Sequence, residues 1–348
     1  MIVPNISSAT STVDKNLLNE MLNTVNQRYL YDIDLSQIIN NGLQGLNEID
    51  DKITIFKGKD CFYIYYNNTI SNIVKFPQDI NSIAAWVDTL EKVLQTVTKI
   101  SEKAAVKDFE LPDVIMKKIA AGLDDYSKYY SEYEYDEDEE QNQIYTLFSD
   151  RMLDNNVLYM RIRIFNKQTA KFVKKSLLSH QNIKGVILDL RGNSGGMLNE
   201  ALKVAGLFCD GEIITYTAER NNDNIHYYTS PDNLLFDGPL TIITDGDTAS
   251  AAEVLAGGFK DQSRATLIGT RTFGKGTIQK IIRMSNGGKL VLTAEQFFTP
   301  SGNIIHKQGI LPDICLTDTD ENDDCIRESR LRKEEDIEEA LKVINNQL

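Results

Sequence analysis

Apolar residues return at the 3.6-residue period of a helix along residues 14–28, where Leu17, Leu18, Met21, Leu22 and Val25 share one face. The same period predicts helices over 35–46, 80–105 and 111–121. Between the helices expected over 35–46 and 80–105, residues 52–76 are rich in β-branched and aromatic side chains. There, 53–56 and 61–66 read as strands, with turns at Gly58 and at Asn67-Asn68. Together these segments predict a mainly helical N-terminal domain, residues 1–133, carrying a small β-hairpin. Residues 126–135 are Tyr-rich, and 136–140 is an unbroken acidic run that reads as a solvated linker. Residues 134–154 are therefore expected to join two domains.

From residue 155 the pattern changes. Strand-like runs at 157–163, 186–190, 212–217, 240–244 and 265–269 alternate with helical runs at 167–180, 197–208 and 249–259. That alternation predicts an α/β domain, residues 155–348, built on a mostly parallel sheet covered by helices. Residues 278–284 and 289–298, joined at Asn286-Gly287-Gly288, read as a C-terminal β-hairpin. Residues 330–346 read as a closing helix.

Composition narrows the partners. The chain has 348 residues, enough for two or three domains at roughly 150 residues each. Its hydrophobic fraction of 41% excludes global disorder. With 37 basic against 51 acidic residues the net charge is −14, which argues against nucleic acid or an anionic membrane as the main partner. No apolar run approaches the ~20 residues of an integral membrane segment. Residues 1–16 show no basic segment followed by an apolar one, so no signal peptide is visible. A cytoplasmic chain and a chain trimmed of its signal both fit. Cys209 closes an apolar helix-like run and is expected to be a buried thiol. Cys315 and Cys325 are near enough in sequence to pair in an oxidising compartment, although spacing alone does not establish the bond. With no C-x-x-C and only His180, His226 and His306, a zinc cluster is not expected.

Three loops at strand ends carry the candidate chemistry, where α/β sheets place their sites. Arg191-Gly-Asn-Ser-Gly-Gly196 follows a strand and precedes a helix. Its glycines suit a tight turn, or a backbone brought close to a ligand with N–H groups aimed at it. Thr248-Ala-Ser-Ala-Ala-Glu253 puts Ser250 at a helix start, either as an ordinary N-cap or as a nucleophile beside the Ala251 N–H. Thr272-Phe-Gly-Lys-Gly276 sets Lys275 between two glycines, either as a surface lysine or as one tucked into a site. The run from Gly269 to Gly276 nearly matches a phosphate-binding P-loop. It fails at Gly276, where a hydroxyl should hold Mg²⁺, and it leads into a β-like segment instead of a helix.

Taken together, Val186-Ile-Leu-Asp-Leu-Arg-Gly-Asn-Ser-Gly-Gly, Thr248-Ala-Ser-Ala-Ala-Glu, Arg271-Thr-Phe-Gly-Lys-Gly-Thr-Ile-Gln, and Phe298-Thr-Pro-Ser-Gly with Gly309-Ile-Leu-Pro-Asp resemble the carboxyl-terminal processing, or tail-specific, serine proteases. The resemblance covers residues 155–315, and Leu123-Asp-Asp-Tyr-Ser-Lys-Tyr-Tyr-Ser extends it upstream. It implies a crotonase-like core without metal or organic cofactor. It further implies a serine-type endopeptidase in which Ser250 is the nucleophile, Lys275 the general base and Gln279 the residue that orients the lysine. The N–H groups of Ala251 and of Gly195 or Gly196 would form the oxyanion hole. Two departures stand out: Ser194 replaces a frequent proline, and about 20 residues fill the gap where the family usually inserts a PDZ domain. Substrate capture by such a domain is not expected here, which leaves the N-terminal domain to recruit protein or peptide substrates or to form a homodimer. Family members are mostly exported to the cell envelope, in the periplasm or beyond.

A lysine base must be neutral to take a hydroxyl proton, whereas an exposed lysine has a pKa of about 10.4. Burial disfavours the charged form. Two readings compete with the enzyme: a non-catalytic ligand- or protein-binding module on the same fold, and a scaffold with a vestigial core. The presence of Ser250, Lys275 and Gln279 together favours the enzyme.

Overall fold

The computed structural model describes residues 15–107, 110–132, 134, 147–316, 325–331 and 333–348. The acidic run at 136–140 and most of the expected linker lie outside the described residues. The chain divides into two compact units, Met1–Glu137 with Gln279–Ala294, and Asp138–Ile278 with Glu295–Leu348.

The first unit begins with α1 (Lys15–Arg28), α2 (Leu35–Gln44) and the single turn α3 (Leu46–Ile49). Asp34 starts α2 by accepting the Ser36 and Gln37 N–H groups on Oδ1 at 2.8 and 3.2 Å, which satisfies two orphan donors of the first turn. Three antiparallel strands follow: β1 (Ile53–Lys57), β2 (Cys61–Tyr66) and β3 (Thr69–Lys75). The third strand was not separated in the sequence because it is exposed on both faces except at Val74 and shows no alternation. The helix expected over 80–105 is two helices, α4 (Ile83–Ile100) and α5 (Glu102–Val106). Extended backbone at Ser101 breaks it, and the Ser101 hydroxyl accepts the Ala104 N–H at 3.1 Å to cap the second piece. The unit continues with α6 (Leu111–Ala121) and β4 (Lys128–Tyr130). Its core joins Met21, Leu22, Ile39, Trp86 and Ile115 from the helices to Phe62 and Ile64 from the sheet.

The second unit has a six-stranded sheet in the order β14-β11-β10-β7-β6-β5. The elements after β4, in chain order, are β5 (Phe148–Leu153), β6 (Val157–Ile162), α7 (Thr169–Ser179), β7 (Gly185–Asp189), α8 (Leu198–Ala205), β8 (Ile213–Ala218), β9 (His226–Thr229), β10 (Leu240–Thr244), α9 (Ala251–Asp261), β11 (Thr266–Gly269), β12 (Thr277–Arg283), β13 (Lys289–Phe298), β14 (Ile314–Cys315) and α10 (Glu335–Asn345). Neighbours from β6 to β14 run parallel. The expected linker ends early, because residues 148–153 form β5 and pair antiparallel with β6. The central strands β7 and β10 are buried at every position, as a sheet covered on both faces requires. One face packs Leu158, Leu188 and Ile242 against α7, α8 and α9, and the other packs Tyr159, Ile187 and Ile243 against Ile337, Ala340 and Ile344 of α10. The closing helix is shorter than expected: it starts at Glu335, and residues 325–331 form a strap without regular secondary structure before it.

The β12–β13 hairpin is divided. Residues 279–294 were expected in the core domain but belong to the first unit. There Met284, Leu290 and Leu292 join the hydrophobic core and Lys289–Val291 pairs with β4. The end of β13 belongs to the second unit, where Phe298 pairs opposite Tyr216 of β8.

Candidate active site

The loops after β7, β10 and β11 leave the carboxyl ends of adjacent parallel strands and so gather at one edge of the sheet. Ser250 lies in the turn from β10 into α9, with φ 55° and ψ −121°. An N-cap residue has extended backbone angles, so Ser250 is not an ordinary cap. A non-glycine residue held at such angles costs about 1–3 kcal/mol and persists only when its surroundings fix it.

Those surroundings are visible. The Thr248 hydroxyl donates to the Leu190 carbonyl at 2.9 Å, and the Ala249 N–H donates to the Asn193 carbonyl at 2.8 Å. On the other side the Phe273 N–H donates to the Thr248 carbonyl at 2.9 Å. The turn that carries Ser250 is therefore clamped between the other two loops.

Glu253 ties the serine to the lysine. Its carboxylate is fully buried. Oε2 accepts the Ser250 N–H at 2.8 Å and the Lys275 N–H at 2.9 Å. Oε1 accepts the Thr272 hydroxyl and the Gly274 N–H, both at 2.6 Å. One oxygen is thus the common acceptor for the backbones of Ser250 and Lys275. Burial pushes the Glu253 carboxyl above the usual range, against the pull of these four donors. The sequence alone assigns Glu253 no role. The pattern Ser-x-x-Glu at a helix start was the available signal, but such boxes are common and do not reveal the second loop that the carboxylate holds.

The glycine loop meets the serine directly. A Cβ on Gly195, whose φ is +102°, would lie 2.7 Å from Ser250 Cβ, so only glycine fits there. The two proposed oxyanion donors in this loop differ. The Gly195 N–H donates to Asn193 Oδ1 at 2.8 Å. Around Gly196, the Phe165 N–H donates to the Gly195 carbonyl and the Met197 N–H to the Phe165 carbonyl, each at 2.7 Å. Ala251 opens α9, where the first N–H groups of a helix have no intrahelical acceptor.

Lys275 and Ser250 are both half-buried. Gln279 sits on β12, within the part of the hairpin that belongs to the first unit. Its Nε2 donates to the Thr293 hydroxyl at 3.2 Å, which donates in turn to Asp124 Oδ1 at 3.2 Å. Among the described residues no three His, Cys, Asp or Glu side chains gather as metal ligands would.

Arg191 also has a different place from the glycines that follow it. Its guanidinium is buried and paired with Asp189 at 2.6 Å and Asp336 at 3.2 Å. Asp189 further accepts the Tyr159 hydroxyl at 2.7 Å.

Comparison with known proteins gives a consistent picture. Residues 156–316 match the model of peptidase family S41. The chain is 39% identical over 160 residues to a carboxyl-terminal-processing protease of Synechocystis, covering 45% of this chain and 37% of that protein. It is 36% identical over 171 residues to a carboxy-terminal-processing protease of Bartonella bacilliformis, covering 47% and 39%. The match spans well under half of either relative. Among solved structures, a lipoprotein from Streptococcus agalactiae aligns over 92% of this chain and 99% of its own, with a TM-score of 0.53 and 17% identity. That likeness concerns the fold alone. No described helix is long and apolar enough to cross a membrane.

Proposed function

We propose that this chain, whose residues 156–316 match the model of peptidase family S41, is a serine endopeptidase acting on unfolded or tail-exposed proteins. The observation that carries the proposal is the strained backbone of Ser250, whose N–H shares one acceptor oxygen with the N–H of Lys275. A residue is held in such a turn where a strand-to-helix elbow presents a nucleophile.

In the proposed reaction Ser250 Oγ attacks the scissile carbonyl carbon and its proton passes to the Lys275 amine. The oxyanion of the tetrahedral intermediate accepts hydrogen bonds from the Ala251 and Gly196 N–H groups, because the Gly195 N–H is already engaged by Asn193. The Lys275 ammonium then protonates the leaving amine. The resulting ester is hydrolysed by a water that gives its proton to the same lysine. Gln279 orients the lysine, and the core carrying these loops has the crotonase-like arrangement that the motifs imply. We assign the first unit the recruitment of substrate or self-association, and the chain to the exported side of the cell envelope.

The test is digestion of unfolded casein by wild type, Ser250→Ala and Lys275→Ala, with mass spectrometry of the products and fluorophosphonate labelling. Wild type should cut and take one label on Ser250. Both variants should lose at least ~10³-fold in rate, the scale seen when one member of such a catalytic unit is removed. A wild type that neither cuts nor labels would transfer the chain to the binding-module class.

A further inference from the structure

We propose that the strap 325–331, anchored on Asp336, forms a brace that sets the geometry of the reaction, with Arg327 and Arg330 as positioning residues. The inference rests on the peptidase reading above, and it concerns residues beyond the segment matched to the family.

The strap 325–331 touches all three site loops. At the loop after β11, the Ile326 carbonyl accepts the Arg271 N–H at 3.3 Å and Arg327 Nε donates to the Thr272 carbonyl at 3.0 Å. Arg327 also donates through Nη2 to the Lys307 carbonyl. Thr272 is the residue whose hydroxyl binds Glu253, three positions before Lys275. At the loop after β10, the Glu328 carbonyl accepts the Gly246 N–H at 2.7 Å, and Asp245 Oδ2 accepts the Arg330 N–H at 3.1 Å. At the loop after β7, the Arg330 carbonyl accepts Arg191 Nη1 at 3.1 Å. Asp245 Oδ1 meanwhile holds the Gly192 N–H at 2.9 Å.

Both ends of the strap are anchored. Cys325 is bonded to Cys315 of β14, the edge strand beside β11. At the other end the Arg330 guanidinium grips Asp336 of α10 at 2.6 Å, with both side chains buried, and α10 is packed on the sheet. A segment fixed at two points and bonded to three loops between them holds those loops in register. A misplacement of about 1 Å remote from the chemistry can cost on the order of 10²-fold in rate.

Arg327 is the sharpest probe because it is exposed, so its loss should leave the fold intact. Arg327→Ala should lower kcat on casein about tenfold with KM within twofold, and Arg327→Lys should restore part of the loss. The Cys315→Ser/Cys325→Ser double variant, which releases one anchor without stranding a buried charge, should fall in kcat by a similar factor. Hydrogen exchange supplies a readout independent of activity: the Gly246 and Arg271 amides, which donate to the strap, should exchange at least tenfold faster in both variants. An unchanged kcat in Arg327→Ala overturns the proposal. If wild type itself is inactive, the peptidase reading fails, and exchange alone decides: unchanged protection overturns the brace, and faster exchange upholds it.

Discussion

At the scale of the residue, Glu253 does the most with the least exposure. It accepts four hydrogen bonds from two loops, and all four donors favour its ionised form. Burial raises its pKa above the ordinary value of about 4.3. A raised folded-state pKa means folding favours the protonated carboxyl. Its contribution to stability is complete below the unfolded value and is lost as pH rises through the folded one. Activity moves the other way, since the donors need the carboxylate. On the acid side, kcat should therefore fall as Glu253 takes up its proton. Glu253→Gln should lower kcat about 10–100-fold and remove that ionisation from the pH profile; a profile unchanged in shape in that variant would remove Glu253 from the account. The sequence motifs single out Ser250 and Lys275 as candidates. They leave the hydrogen bonds of Glu253 unmarked, because these reach a loop some 20 residues further along, and they leave unmarked the positive φ of Ser250, which has no compositional trace.

At the scale of the element, helices and buried strands followed their periods closely, and the errors fell where side chains overrule the period. Residues 80–105 keep an amphipathic stripe through Ser101, yet the helix stops there. The Ser101 hydroxyl donates to buried Asp50 Oδ2 at 2.7 Å and accepts from Ala104 N–H. Ser101→Ala removes both contacts. It should cost about 2 kcal/mol, the sum of a lost N-cap and a weakened buried acceptor, read as a lower urea midpoint at unchanged m-value. A change under 0.5 kcal/mol would mean that the break is set by packing and not by the cap. Strand β5 is hidden in the sequence for the opposite reason. It lies at a sheet edge, mostly exposed or half-buried, so it lacks the apolar alternation that marks a half-buried strand.

At the scale of the molecule, the discontinuity of the first unit leaves no trace in the sequence. Sequence patterns assign a segment to its neighbours in the chain, whereas Met284, Leu290 and Leu292 fill a core made of residues more than 150 positions earlier. A fragment of residues 1–137 lacks these side chains and the partner strand of β4. Each buried large aliphatic contributes about 1.5–3 kcal/mol, so the loss of three is comparable to the whole stability of a small domain. The fragment should bind a hydrophobic dye and unfold without a cooperative transition, while the full chain shows a sharp one. A cooperative fragment would show that the hairpin only decorates the first unit.

The divided hairpin also imposes a timetable on synthesis. The first unit's own sequence has left the ribosome well before its core can close, because residues 279–294 have yet to be made. At roughly 5–20 residues per second the wait is about 8–30 s. During that interval the helices of α1 to α6 present apolar faces with no final partner, and the second unit's parallel sheet is being assembled between them and completion. A chain stalled before residue 294 would be left holding an open core, which is the feature that chaperones and quality-control proteases recognise.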